Sequence, residues 1–384
     1  MGHSVQILER CPISYLEPRG AGIVSGPSID AFFSLFNSSP TPCINLTQRL
    51  YLDRLGHVIE SIDRTQRTTS WGVLYATLRQ LYDQPSCQCQ DEICRQTARG
   101  ERAAYCFGCE ATSVIPLGNG AMAVEFITAQ GRTETVLADL VIGADGFNSA
   151  LRAGLLPEVQ PAYAGYVAWR GVIPEMQLSH SIRGAYVGKM VFYQGEATQF
   201  VAYTMPGEGG SSQPGERRLN WVWYQNCGEG SDEHNATMTD THGTLHRVTV
   251  APGLLNRDVW DERVAISARC LPPPLGEIVK QTADPFVQKI IDVASHQATF
   301  YGGRVLLVGD AMAAPRPHTG SSTDQSAFQA LKLLEVLRGK IDVTEWERKV
   351  LQHATDLLQV GVKIGADCGL GGSGLSPHPV NRLI

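Results

Sequence analysis

Two short apolar runs each end in a glycine–aspartate turn, and together they restrict this chain to few folds. One is Asp139-Leu-Val-Ile-Gly-Ala-Asp-Gly146, with Ser149 and Arg152 just beyond. The other is Arg304-Val-Leu-Leu-Val-Gly-Asp310. A run with no polar interruption reads as a strand covered on both faces, as in a parallel sheet flanked by helices. In open sheets of that kind ligands bind outside the carboxyl ends of the strands. Glycine lets the backbone approach a ligand there, and a carboxylate such as Asp145 or Asp310 holds a polar partner or the turn itself. The second run continues through Pro315, Pro317, His318 and Gly320 into a helix predicted over about 322–337. Free N–H groups at that helix start, near Thr323, suit an anion or a carbonyl oxygen. The plainer reading of either run is a strand-to-loop turn with a capping aspartate.

Other segments fill in a mixed architecture. Residues 71–82 place Trp71, Leu74, Leu78 and Leu81 on one helical stripe, with Thr69 or Ser70 as cap. Residues 121–128 and 133–137 read as two strands around Gln130-Gly131. From about Tyr163 to Val264 short aromatic and β-branched stretches alternate with Gly, Pro and Ser clusters, which predicts a half-exposed antiparallel sheet. The stretch from Cys368 to Pro379 is rich in Gly, Ser and Pro and reads as loose.

Composition excludes several classes. A net charge of -6 argues against a nucleic-acid surface, which needs clustered Lys and Arg. No apolar run approaches the roughly 20 residues that span a bilayer, and residues 1–10 lack the pattern of a signal peptide. A cytoplasmic protein is expected. Five of the ten cysteines cluster at Cys87, Cys89, Cys94, Cys106 and Cys109. Cys-x-Cys is poor zinc spacing and no histidine lies nearby, so reduced thiols are favoured over a metal site.

Glu9 closes a short apolar strand, Ser4-Val-Gln-Ile-Leu8. An acidic residue at the end of the second strand of a doubly wound fold binds a ribose, with its glycine fingerprint about 20 residues earlier. Only eight residues precede Glu9, so that role requires a fingerprint outside this sequence. The alternative is a solvated strand-end charge.

Taken in order, these strings resemble the class A flavoprotein monooxygenases, the para-hydroxybenzoate hydroxylase family. Within it the chain is similar to the dihydroxypyridine-hydroxylase-like branch, through Tyr163-Ala-Gly-Tyr-Val-Ala-Trp-Arg-Gly171, Pro214-Gly-Glu-Arg-Arg-Leu-Asn-Trp-Val-Trp-Tyr224 and Arg316-Pro-His-Thr319. The resemblance covers nearly the whole chain. It implies an α/β fold: a Rossmann-like FAD-binding domain with an inserted antiparallel β-sheet substrate domain. Expected boundaries are 1–155 and 266–345 for the FAD domain, 156–265 for the inserted sheet, and 346–384 for a C-terminal helix and tail.

It further implies FAD as cofactor, NAD(P)H as co-substrate, and oxygen transfer to an electron-rich aromatic ring. By motif match Glu9 meets the adenosine ribose, Gly22 approaches the cofactor, and Asp310 binds the ribityl chain with Thr323 beside it; Asp145 is a further cofactor-site residue. The family's early-helix arginine falls on Trp71, and Arg79 is the nearest substitute. His318 is the candidate catalytic residue, with a backbone-satisfied loop histidine as the alternative. Tyr166, Trp169, Arg170 and Tyr203 are candidate pocket residues or sheet packing. The sequence departs from the family pattern in three places. It starts at the phrase Gly2-His-Ser-Val5, so the first strand and Gly-x-Gly-x-x-Gly loop are expected to be missing. Ser322 replaces a glycine after Gly320, and Gln329 replaces an acidic residue. The alternatives are a truncated, inactive homologue unable to hold FAD, a flavin oxidase or dehydrogenase, and a zinc-stabilised interaction protein.

Overall fold

The computed structural model describes residues 3–12, 21–36, 42–83 and 103–371. Its first elements are β1 (Val5–Glu9), β2 (Gly22–Ser25), α1 (Pro27–Phe33), β3 (Ile44–Leu52), β4 (Val58–Ser70) and α2 (Trp71–Asp83). Then come β5 (Ala103–Phe107), β6 (Glu110–Pro116), β7 (Met122–Ile127), β8 (Thr133–Ala138), β9 (Val141–Gly143) and α3 (Ala150–Leu155). The middle runs β10 (Ala162–Pro174), α4 (His180–Tyr186), β11 (Lys189–Gly195), β12 (Thr198–Met205), β13 (Arg218–Asn226), α5 (Asp232–Met238), β14 (Thr249–Val250), α6 (Arg257–Cys270) and α7 (Pro273–Lys280). Last among the described elements are β15 (Phe286–Ala294), β16 (Thr299–Phe300), β17 (Val305–Leu307), β18 (Ala313–Ala314), α8 (Ser322–Leu337) and α9 (Val343–Asp367).

A ten-stranded sheet dominates, ordered β14-β15-β10-β13-β12-β11-β3-β4-β2, with β18 on β15. Its centre is antiparallel: Trp169 faces Trp223, and Phe200 faces Trp223 from the other side. The two-residue period of a strand sends neighbouring side chains to opposite faces. One face carries Trp169, Trp221, Trp223 and Phe200, all at 0 % exposure, beneath α4, α6 and α7. Truncating one such aromatic to alanine costs about 3–5 kcal/mol. The other face carries Tyr166, Ala168, Val201, Tyr203, Val222 and Tyr224.

The parallel strands form two smaller sheets. β9 and β17 pair in parallel, with Leu307 opposite Gly143, and β16 adds to β17. β1 pairs in parallel with β5, setting Glu9 opposite Phe107. No strand pairing joins β1 to β17 among the described residues. A third small sheet, β6-β7-β8, is an antiparallel meander. α9 packs Trp346, Val350, Ala354 and Leu358 over Leu306, Leu307 and Met312.

The structure corrects several sequence expectations. The main sheet takes in the β3–β4 hairpin, which the sequence reading missed. Trp169 points into the helix-covered core rather than towards a pocket, because it alternates with Ala168 and Arg170. Leu78, on the helical stripe of α2, is exposed, while Ser70, one of the two expected caps, accepts the Val73 N–H. Cys368 and Leu370 are buried, and Asn226 grips Gly369 O and Gly371 N–H, so the start of the tail is docked. Residues beyond 371, and Cys87, Cys89 and Cys94, lie outside the described residues. No described helix is long and apolar enough to cross a membrane.

Candidate active site

Asp310 is delivered as the sequence suggested. β17 ends at Leu307, the Val308 N–H bonds Gly143 O, and Gly309 turns the chain at φ +57°. Gln329, buried on α8, accepts the Gly309 N–H at 2.6 Å. An amide oxygen therefore fills the role expected of a carboxylate at that position. The Asp310 carboxylate accepts from the Ser322 hydroxyl at 2.6 Å, and burial raises its pKa. No side chain caps the start of α8, so the N–H groups around Thr323 stay free of side-chain partners.

Asp145 lies just past β9, the neighbour of β17, so register brings both aspartates to the same edge of that sheet. Its carboxylate accepts from Ser149 Oγ at 2.5 Å and from Leu151 N–H at 3.2 Å. It thus caps the first turn of α3. The buried Arg152 guanidinium donates to Ala311 O at 2.8 Å and to Phe147 O, locking the Asp145 turn to the Asp310 turn.

Glu9 and Arg79 meet around β5. Glu9 accepts the Cys11 N–H at 2.7 Å. The Arg79 guanidinium lies 4.2 Å from the Tyr105 ring centroid and 5.5 Å from that of Phe107, the register partner of Glu9. It also pairs with Asp83 at 2.8 Å, and its Nη1 is buried without a hydrogen-bond partner.

Gly22 opens β2, the edge strand of the main sheet, and packs against the face that carries Tyr203. Its N–H bonds Asn220 Oδ1 at 3.1 Å, and a Cβ there would lie 2.6 Å from the Tyr203 hydroxyl. Glycine is thus required by contact with Tyr203 and Asn220. Beside them the same face collects a polar set. His318 holds Tyr166 OH at Nε2 and Gln199 Oε1 at Nδ1, both at 2.7 Å. With the Gln199 carbonyl as acceptor, Nδ1 carries the proton and Nε2 accepts from the tyrosine. Burial, then Arg316 and Arg170, pull the His318 pKa down to about 3, so the ring is neutral. Burial pushes Tyr224 up to about 12 and raises Tyr203 and Tyr166 further, leaving all three as neutral donors. Arg316 forms a buried bidentate pair with Asp292, at 2.9 and 2.7 Å.

Arg170 completes the set. Its charge acts on Tyr203, Tyr224 and His318, yet its Nε is buried without a hydrogen-bond partner. Sequence reasoning named His318, Tyr166, Arg170 and Tyr203 but missed Gln199, Asn220, Tyr224 and Asp292. Two surface hollows, one at His296, Asp342 and Glu345 and one between α1 and α8, include none of these residues. Both are open surface features lined mainly by solvated side chains.

Comparison with known proteins follows the same lines. Residues 163–292 match a family described as FAD binding domain-like. The chain is 28 % identical over 381 residues to the 2,6-dihydroxypyridine 3-monooxygenase of Paenarthrobacter nicotinovorans, covering 97 % of this chain and 87 % of that one. A 46-residue stretch is 54 % identical to the 6-hydroxynicotinate 3-monooxygenase of Pseudomonas fluorescens, 12 % of this chain and 11 % of that enzyme. The solved 2,6-dihydroxypyridine-3-hydroxylase from Arthrobacter nicotinovorans superposes with a TM-score of 0.80 at 26 % identity, over 98 % of this chain and 89 % of that one. Klebsiella pneumoniae HpxO, solved with FAD and uric acid, shares the fold at a TM-score of 0.62 and 18 % identity, over 92 % of this chain and 80 % of that one. The chain is thus similar over nearly its whole length to FAD-dependent aromatic monooxygenases, in keeping with FAD as cofactor and NAD(P)H as co-substrate.

Proposed function

We propose that this enzyme hydroxylates a small aromatic or heteroaromatic ring that already bears a hydroxyl group, of the hydroxypyridine kind. The carrying observation is Arg170: a cation whose charge bears on the neutral Tyr203, Tyr224 and His318 on one face of the main sheet. Charge-assisted hydrogen bonds of this type favour an anionic oxygen over a neutral one. A ring hydroxyl held there as its oxyanion is a more electron-rich target. Tyr203, Tyr224 and Asn220 supply neutral polar contacts around it. The neutral His318 accepts from the Tyr166 hydroxyl and so fixes its orientation.

The residues present also suit FAD. Asp310 is a buried carboxyl with a single hydroxyl partner, so it has acceptor capacity left for ribityl hydroxyls. The uncapped start of α8 at Thr323 offers donors to a ring carbonyl, and Gly22, Asp145, Glu9 and Arg79 are assigned to the remainder of the cofactor site. When bound, FAD supplies the redox chemistry, accepting reducing equivalents from NAD(P)H and delivering one oxygen atom of O2.

The test uses purified enzyme with added FAD, following NADH and NADPH oxidation, O2 uptake and product with 2,6-dihydroxypyridine and 6-hydroxynicotinate. Oxidation should rise with a hydroxylated ring and yield stoichiometric product. Arg170→Met should raise KM far more for a substrate ionised at its hydroxyl than for its O-methyl ether. If flavin is bound and no hydroxylated ring stimulates oxidation, the assignment is wrong.

A further inference from the structure

Gln199 is a polar side chain on β12, a strand buried along its whole length, and is itself 3 % exposed. A buried amide needs a partner, and here the partner is His318 Nδ1 at 2.7 Å. The direction of that bond follows from the other end of the ring. Arg316 directs Nε and Nη2 at Asp292, and its guanidinium also donates to the Tyr166 oxygen. The buried Tyr166 hydroxyl then has its own proton to place, and the acceptor in reach is His318 Nε2 at 2.7 Å. A neutral imidazole that accepts at Nε2 carries its proton at Nδ1, so Gln199 must offer its carbonyl oxygen. Donation runs one way, from Arg316 through Tyr166 and His318 to Gln199.

We propose that Gln199 is a positioning residue of the candidate site, acting through His318 to hold the segment that leads into α8 against the main sheet. Four strands lie side by side in the order β15, β10, β13, β12. The short run from Arg316 to His318 is tied at both ends of that row, Arg316 to Asp292 on β15 and His318 to Gln199 on β12. Between the ties lie Tyr166 on β10 and Tyr224 on β13, whose ring centroid is 4.3 Å from that of His318. Gly320 then turns the chain at φ +64° towards α8. The Gln199 bond, made just before that turn, sets how the start of α8 stands over the face that carries Tyr203 and Asn220. Without it the ring is no longer bound at Nδ1 and can turn or take either tautomer. The inference rests on the proposed function only in that a ring substrate binds between that face and α8.

The test compares Gln199→Glu, which keeps an acceptor at the same length, with Gln199→Met, which keeps the length and removes the acceptor. Nitrogen NMR of protein with isotope-labelled histidine shows which ring nitrogen is protonated, the His318 signals being assigned by their loss in His318→Gln. The proton should sit on Nδ1 in the wild type and in Gln199→Glu, and should not be confined there in Gln199→Met. Amide exchange at Ser321, Ser322 and Thr323 should quicken in Gln199→Met and not in Gln199→Glu. With a hydroxylated ring as substrate, Gln199→Met should raise KM by roughly five- to tenfold, the weight of one net hydrogen bond, with kcat moved far less. Gln199→Glu should recover most of that KM. Circular dichroism confirms that each variant is folded. A wild-type proton on Nε2, a Gln199→Glu variant that behaves as Gln199→Met, or a Gln199→Met variant with KM and exchange unmoved would each overturn the proposal. If no hydroxylated ring stimulates NAD(P)H oxidation, the functional reading falls, while NMR and exchange still decide the role of Gln199.

Discussion

A histidine enclosed between a tyrosine hydroxyl and a glutamine carbonyl is held neutral. For His318 the folded pKa of about 3 lies below the ordinary 6.5. Between those values the unfolded chain binds the extra proton, so stability rises with pH across the window and falls as pH drops through it. Asp310 acts with the opposite sign: burial raises its carboxyl, so its contribution is lost as pH climbs past the folded value. His318→Gln should flatten the stability loss from pH 6.5 downward, read as denaturation midpoints against pH; an unchanged slope would contradict a neutral buried ring. Asp310→Ala should release flavin, at about 1–3 kcal/mol for a lost buried partner, measured as bound absorbance after dialysis. Gly22→Ala drives a methyl into Tyr203 and should cost about 1–3 kcal/mol in thermal unfolding. Tyr203→Phe in the same chain should recover part of that. At this scale Asp310 was legible because strand, turn and helix follow one another locally. Gln199, Asn220 and Tyr224 were not, because strands buried on both faces give no polar–apolar alternation; β12 is buried at all eight positions.

The elements are held by a few crossings. α9 passes over the His318 loop with Gly361 and Gly365 on one side, four residues and so about one turn apart. A Cβ at Gly361 would lie 3.1 Å from Arg316 Cβ, and one at Gly365 would lie 3.1 Å from Arg316 Nη1 and 3.2 Å from Tyr166 OH. The helix thereby seals the Arg316–Asp292 pair and the histidine beneath it. Breaking a buried ion pair by removing one partner costs about 3–5 kcal/mol. Asp292→Asn should approach that loss in chemical denaturation and should also raise KM, since Arg316 anchors the segment that carries His318; a loss of stability with KM unchanged would make the pair structural alone. α2, α8 and the central strands were legible from periodicity and texture, although the sheet was expected half-exposed and its central strands are buried on both faces, and α6 falls where sheet was expected. The β3–β4 hairpin was not. Ile44, Leu46, Leu50 and Leu52 do alternate, but the exposed half of β4 has no buried face to imprint a pattern.

In the whole molecule one large sheet stands beside smaller ones. The ten-stranded sheet is packed on both faces, whereas β1–β5 has two strands and β9–β17–β16 has three. The sequence revealed β1, β9 and β17 individually, because each is a local apolar run, but not β5. It could not reveal which strands hydrogen-bond, since β1 and β5 lie about a hundred residues apart and β9 and β17 farther still. A two-stranded sheet is marginal by itself, and local opening free energies range from near zero up to the global value. Amides of Ile7, Leu8 and Tyr105 should therefore exchange with deuterium well before those of Val201, Trp221 and Trp223, by at least about tenfold. FAD binds only the folded state, so at a hundred times its Kd it should add about 2.7 kcal/mol of protection wherever opening abolishes the site. That gain should appear at Leu306, Leu307 and the first turn of α8 and leave the Trp221–Trp223 strand almost unchanged. Uniform exchange across all the sheets, with uniform slowing by FAD, would instead mean that the molecule opens as a single cooperative unit.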